Sequence, residues 1–156
     1  MNEDPSCTAI SDENGRSYND RLKDLRIRTG KTQQDVCDLL VMDLHHYEEL
    51  ETYSSELTEV ASIYEISRIA RVLGVPSRAI FSDTVVTGEP ISLGELSLKI
   101  KNHLNTNRVS MEEFENQVGY EIGTSIDNSS KMLDWSLDCL RFVCVEIGVD
   151  WLNALP

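Results

Sequence analysis

A chain of 156 residues has room for one domain or two small ones, and 40% hydrophobic content is enough for a packed core. Only 6% of residues are aromatic and long Val/Ile/Thr alternations are missing, which argues against a β-sandwich or barrel. Fourteen basic against 27 acidic residues leave a net charge of −13, divided as −3 over residues 1–18, −4 over 19–83 and −6 over 84–156. No segment therefore has the basic balance through which nucleic-acid binders release counterions from phosphates.

Apolar stretches are a few residues long, short of a membrane span, and no basic segment precedes an apolar core at the N-terminus. Cys7, Cys37, Cys139 and Cys144 form no CxxC pair. A soluble cytoplasmic protein with neither disulfides nor zinc is the expectation.

Residues 1–17 hold Pro5, Gly15 and six Asp, Glu or Asn, and read as a disordered arm. A helix is predicted from about Asn19 to Arg28, with Leu22, Leu25 and Ile27 apolar and Gly30 stopping it. Thr32-Gln33-Gln34-Asp35 opens a second helix, because Thr32 caps free backbone N–H groups and Asp35 suits the positive helix start. Val36, Leu39 and Leu40 give that helix its apolar side. A break near Val41 leads to a third helix over Asp43–Glu51, where Leu44, Tyr47 and Leu50 recur on one face. Ser62-Ile63-Tyr64-Glu65 has capping-box spacing and starts an amphipathic helix with Ile66, Ile69, Ala70 and Leu73 inside and Gly74 at its end. Ser77–Phe81 forms a last short helix. Residues 84–91, with Gly88 and Pro90, read as a linker.

The pattern then returns. Ser110-Met111-Glu112-Glu113 is another capping box followed by Phe114, Val118 and Gly119; Ser136 precedes Leu137, Leu140, Val143, Cys144 and Ile147, and Gly148-Val149 closes that helix as Gly74-Val75 closes the earlier one. Thr32/Ser110, Val36/Phe114 and Leu40/Val118 are offset by 78, whereas Ile63/Leu137, Ile66/Leu140, Leu73/Ile147 and Gly74/Gly148 are offset by 74. Two copies differing by four residues between the third and fourth helices account for both numbers. The expected fold is all-α: two small five-helix bundles in tandem, over residues 18–83 and 92–156, the second copy degenerate.

At RLKDLRIRTGKTQQDVCDLL and SRIARVLGVPSRAIF the chain resembles the Cro and phage-repressor family of helix-turn-helix proteins, over roughly residues 19–83. For residues 92–156 the case rests on the internal repeat and on Val143–Leu155. The resemblance implies a bundle of four or five short helices in which helices two and three read duplex DNA, the third in the major groove. Carried over by position, the DNA-facing candidates are Asp43, Leu44, His45, His46, Glu48 and Glu49 on helix three. Thr32 and Gln33 stand at the start of helix two, with Arg28 and Lys31 flanking them near the phosphates. It also implies a structural pair between Arg26 and Glu51, and Val41 stands where the family usually has a turn glycine.

The third helix carries Asp43, Glu48, Glu49 and Glu51 and no Lys or Arg. One glutamate can accept from cytosine N4. Several acids against the phosphate field are repelled by about 1 kcal/mol each even in water. In the second copy Glu121-Ile122-Gly123-Thr124 begins the equivalent helix, where Gly123 costs about 1 kcal/mol, and Glu112, Glu113 and Glu115 crowd its second helix.

His45 and His46 are adjacent and so point about 100° apart, which favours polar surface over a metal site. Cys37 and Cys144 read as small core residues. Trp135 and Trp151 either fill the second core or supply an oligomer contact. No nucleophile–base pair, phosphate loop or paired carboxylate is recognisable, so neither catalysis nor a cofactor is expected. Two functions remain: a dimeric transcriptional regulator binding duplex DNA through the first copy, or an acidic module that binds a regulatory protein and has lost DNA binding.

Overall fold

The computed structural model describes residues 10–84 and 88–156, and among them the chain is all-helical. In the first half come α1 (Tyr18–Arg28), α2 (Gln33–Leu40), α3 (Leu44–Thr52), a π-helical turn (Glu56–Val60), α4 (Ile63–Leu73) and a 3-10 turn (Ser77–Ile80). The second half repeats the order with α5 (Leu93–Asn107), α6 (Met111–Val118), α7 (Gly123–Ile126), a 3-10 turn (Ser129–Asp134), α8 (Leu137–Glu146) and a last 3-10 turn (Trp151–Ala154). None of these helices is long and apolar enough to cross a membrane.

Polar caps set where most of these helices begin. Thr32, Ser92 and Ser110 each accept the N–H of the third helical residue, whose Asp35, Glu95 or Glu113 carboxylate accepts the cap's own N–H in return. Ser62 and Ser136 cap α4 and α8 at positions 74 apart. Gly74 and Gly119 end α4 and α6 in the left-handed region. Within α2, Val36, Cys37 and Leu40 form the buried stripe, and Leu39 points outward at 60% exposure. Steps of about 100° per residue keep Val36, Cys37 and Leu40 on one face, so Leu39, read as part of the apolar side, falls outside it while Cys37 is the core residue expected.

The offset of four falls at the end of the third helix. Residues 123–126 answer to 45–48 at an offset of 78, and 130–134 answer to 56–60 at 74. α3 runs nine residues and α7 four. A difference of four residues is close to one helical turn, and α7 lacks the last turn that α3 has.

The two halves do not bury separate cores. One apolar cluster gathers Leu22, Val36, Leu40, Tyr47, Leu50, Ile66 and Ile69 from the first half, and also Leu137 from the second. The other gathers Leu96, Ile100, Phe114, Val118, Leu140 and Val143, and also Ile63 from the first half. Ile63 and Leu137 are the equivalent first residues of α4 and α8. They exchange places because Ser62 and Ser136 pair as an antiparallel bridge and Ile63 N–H donates to the Trp135 carbonyl at 2.8 Å. α4 packs on the 129–134 turn and α8 on the 56–60 turn, so the exchange is reciprocal.

Of the disordered arm expected over residues 1–17, residues 10–17 are instead folded. Residues 1–9, with Cys7, lie outside the described residues, as do 85–87 of the linker. Residues 10–17 fold back as a turn closed by a Ser11–Ser17 bridge. Asp12 within it accepts from Arg21 Nη1 at 2.7 Å, and Arg21, 3% exposed, also donates to Asp83 and to the carbonyls of Ala79 and Ile80. A buried guanidinium needs such partners, and they fasten both ends of the first half to α1. Across the linker, Ile91 N–H donates to the Asn153 carbonyl at 2.9 Å.

Burial opposes the charge on Asp12, but the N–H groups of Arg16 and Asn14 and the Arg21 guanidinium outweigh it and hold its carboxyl below the ordinary 3.8. A carboxylate with a depressed folded pKa contributes stability that is full above its unfolded value and lost as pH falls through the folded one. Stability of the parent should therefore decline below about pH 4, and Asp12→Asn should flatten that decline in urea titrations repeated at several pH values. Leu137→Ala should cost about 2–4 kcal/mol and speed amide exchange in α2 together with α8. Acceleration confined to the second half would contradict the shared core.

Candidate functional site

α2, the turn at Val41–Asp43 and α3 form the surface on which the sequence places most of its candidate residues. α2 buries Val36, Cys37 and Leu40, while α3 buries Tyr47, Leu50 and Glu51. Asp43 caps α3 by accepting the His46 N–H at 3.1 Å. Leu44 is half-buried against the first core.

Beneath this surface lies an ion-pair network. Arg26 donates from Nε and Nη2 to both oxygens of Glu51, at 2.6 and 2.9 Å, and from Nη1 to the Lys31 carbonyl at 2.8 Å. The Glu51 side chain is only 2% exposed. The hydrogen bonds from Arg26 to Glu51 raise the Arg26 pKa despite desolvation. Gln33 joins the network by donating from Nε2 to Glu51 Oε2 at 2.8 Å. Gln33, expected from the resemblance to meet phosphates, is thus turned inward.

Several other candidates are engaged internally. Thr32 and Asp35 satisfy each other's N–H groups in the capping box. His46 Nε2 lies 2.6 Å from Glu65 Oε1 on α4, and His45 Nε2 lies 3.5 Å from Glu49 Oε1. The neighbouring imidazoles diverge to different carboxylates. Among the described residues no group of three His, Cys, Asp or Glu side chains is arranged to hold a metal ion.

What faces outward is acidic with an apolar edge. Asp38, Asp43, His45 and Glu48 are exposed, together with Leu39 and Val41, and Arg28 is the exposed base at the rim beside half-buried Lys31. Between residues 28 and 53 two bases, Arg28 and Lys31, stand against six acids, of which only Glu51 is paired with arginine. The field over the exposed part of α3 is therefore negative.

α4 completes the site in a way the capping-box reading missed. Ser62 performs its half of the box, but the Glu65 carboxylate bonds His46. Arg68, one turn on, donates from Nη2 to the Leu40 carbonyl at 2.7 Å and lies 5.6 Å from the Tyr64 ring centre. Arg68 thus closes the C-terminal end of α2, where a cation is favoured by the helix dipole. Val41 follows in the left-handed region, φ 54° and ψ 51°, with its side chain in solvent. A β-branched residue there is strained by about 1–2 kcal/mol.

The corresponding surface of the second half has changed. α7 starts at Gly123, and its first N–H groups are capped from a distance: Glu115 Oε1 accepts from Ile122 and Gly123 at 2.8 and 2.7 Å. Trp135 is 7% exposed and its indole N–H donates to Ser125 Oγ at 3.1 Å. Trp151 is half-buried, packed edge-on to Phe81 at 5.7 Å and under Arg141 at 5.6 Å. Trp135 thus belongs to the second half's core, and Trp151 joins the two halves. Burial pushes the thiols of Cys139 and Cys144 up to about 12, which leaves them protonated core residues.

Compared with protein-family models, with curated proteins and with solved structures, the chain matches none of them.

Removing one partner of the Arg26–Glu51 pair leaves the other buried without its counter-charge. Arg26→Ala should cost about 3 kcal/mol, and Gln33→Ala only about 1 kcal/mol, in urea unfolding followed by tryptophan fluorescence. Equal losses would mean that Gln33, rather than the ion pair, holds α2 on α3.

Proposed function

We propose that this chain is a repressor-type pair of helix-turn-helix units fused into one molecule, and that it works as a regulatory protein by binding a basic protein partner. The observation that carries this reading is the charge on α3: exposed Asp43 and Glu48 with Glu49 beside them, and no lysine or arginine on the helix. A duplex groove repels such a surface, whereas a Lys/Arg-rich protein is drawn to it. Gln33, held by Glu51, adds nothing toward phosphates in this arrangement.

The order of elements in each half supports the helix-turn-helix reading, and the resemblance of residues 19–83 supports its repressor type. The reciprocal packing of α4 and α8 supports a molecule that contains its own two-fold. In this reading a homodimer is not needed, and light scattering should give a mass near the 17.6 kDa of one chain.

A regulator that binds DNA directly is the second reading, favoured by Arg28 and Lys31 at the rim of α2 and α3. Retention on mixed genomic fragments, followed from roughly 10–20 mM salt upward where screening is weak, separates the two. The expected result is no retention at any salt. Retention with a salt slope that Lys31→Ala lowers by about one would overturn the protein-partner reading in favour of the second.

A further inference from the structure

Val41 combines two features that local stability alone disfavours. It holds a left-handed backbone that suits glycine, and 93% of its side chain is in water. The equivalent position in the second half, 78 residues on, is Gly119 at φ 79°, so the same turn is made there without strain. Leu39, 60% exposed, precedes it by two residues, and Tyr64, half-exposed, faces it from the first turn of α4. Val41, Met42, Tyr64, Glu65 and Arg68 share the lining of a cavity of about 270 Å³ between the end of α2 and the start of α4. That volume falls below the range of drug-sized ligand pockets and suits a single bulky side chain.

The charges around the cavity say what kind of molecule brings that side chain. Arg68 within it is engaged by the Leu40 carbonyl and the Tyr64 ring, and Glu65 faces His46. Asp38, exposed one turn before Val41 on α2, and exposed Asp43, two residues after it at the α3 cap, are the acids nearest to it along the chain. A second copy of this chain, itself at −13, is repelled by these acids. Duplex DNA is repelled likewise and offers no side chain to lay on Val41, Met42 and Tyr64 in a recess whose remaining lining is polar.

We propose that the recess between α2 and α4 seats an apolar side chain from a Lys/Arg-rich segment of a partner protein, with Val41 as the contact and the acids of α2 and α3 pairing the flanking cations. The proposal rests on the protein-partner reading above and names the place where that partner docks.

Three labelled peptides of 14 residues test it against the whole chain by fluorescence anisotropy: an amphipathic Leu/Lys helix, its Leu/Glu counterpart, and a Lys/Ser peptide with the charge of the first. The Leu/Lys peptide is expected to bind at least about tenfold more tightly than either of the others. Val41→Gly should raise Tm by about 2–4 °C and weaken Leu/Lys binding at least about fivefold. Asp38→Asn with Glu48→Gln should weaken binding while leaving Tm within about 1 °C. Lys/Ser binding equal to Leu/Lys binding, or a Val41→Gly chain that binds as the parent does, would overturn the docking site. Either result without DNA retention leaves the protein-partner reading standing, whereas DNA retention at low salt overturns that reading itself.

Discussion

The crossing of α4 and α8 is the constraint on which the rest of this molecule depends. Two serines, each capping its own helix in an extended conformation, pair with one another across the two halves. That pairing turns the first helical residue of each half, Ile63 or Leu137, into the core of the other half. Both are fully buried, so each half leaves a gap in its packing that only the other half fills. The aromatic contacts of Tyr18, Phe81 and Trp151 extend the joint along one side. A hydrogen bond from Ser77 to the Pro156 carbonyl ties the last residue of the chain back to the first half.

With the cores locked together, the outer surfaces of the two halves have been free to diverge. The first keeps a full third helix, anchored by a bidentate arginine–glutamate pair and capped by Asp43. The second is about one helical turn shorter there, and a glutamate on α6 supplies the cap. Glu115 stands where the first half has buried Cys37, so a core position on one side has become a polar clamp on the other. Val41 and Gly119 show the same divergence at the α2 and α6 ends. Interior residues answer to packing that both halves share, while a surface turn answers only to what it meets.

The negative surface of α2 and α3 has two origins. Some acids are engaged in the fold: Glu51 with Arg26, Asp35 with the α2 start, Glu65 with His46. Others, such as Asp38 and Glu48, face solvent and set the field a partner meets. Counting charges along the sequence merges these groups, although their consequences differ. A paired buried carboxylate matters to stability, and an exposed unpaired one matters to association.

Much of the helical order was written in local signals. Ser or Thr three residues ahead of an acid, apolar residues three and four apart, and glycine after the last turn located α2, α4, α6 and α8 within a residue or two. The change of offset from 78 to 74 put a four-residue difference between the third and fourth helices. The structure places it in the last turn of the third, because spacing records a length difference but not which element takes it up. Other features arise between segments distant in the chain. Nothing near Ile63 or Leu137 marks either as belonging to the other half's core. Arg21 gives no sign that Asp12 and Asp83 will enclose it, and the acid of a capping box gives none that it will reach across to His46. Trp135 fills the second half's own core and bonds Ser125, whereas Trp151 meets Phe81 of the first half, a contact that only the packing of the two halves creates. Propensity, capping and periodicity act within a few residues and are fixed by composition and order. The partner a side chain meets, and whether it stays free for another molecule, is set by how the helices are brought together.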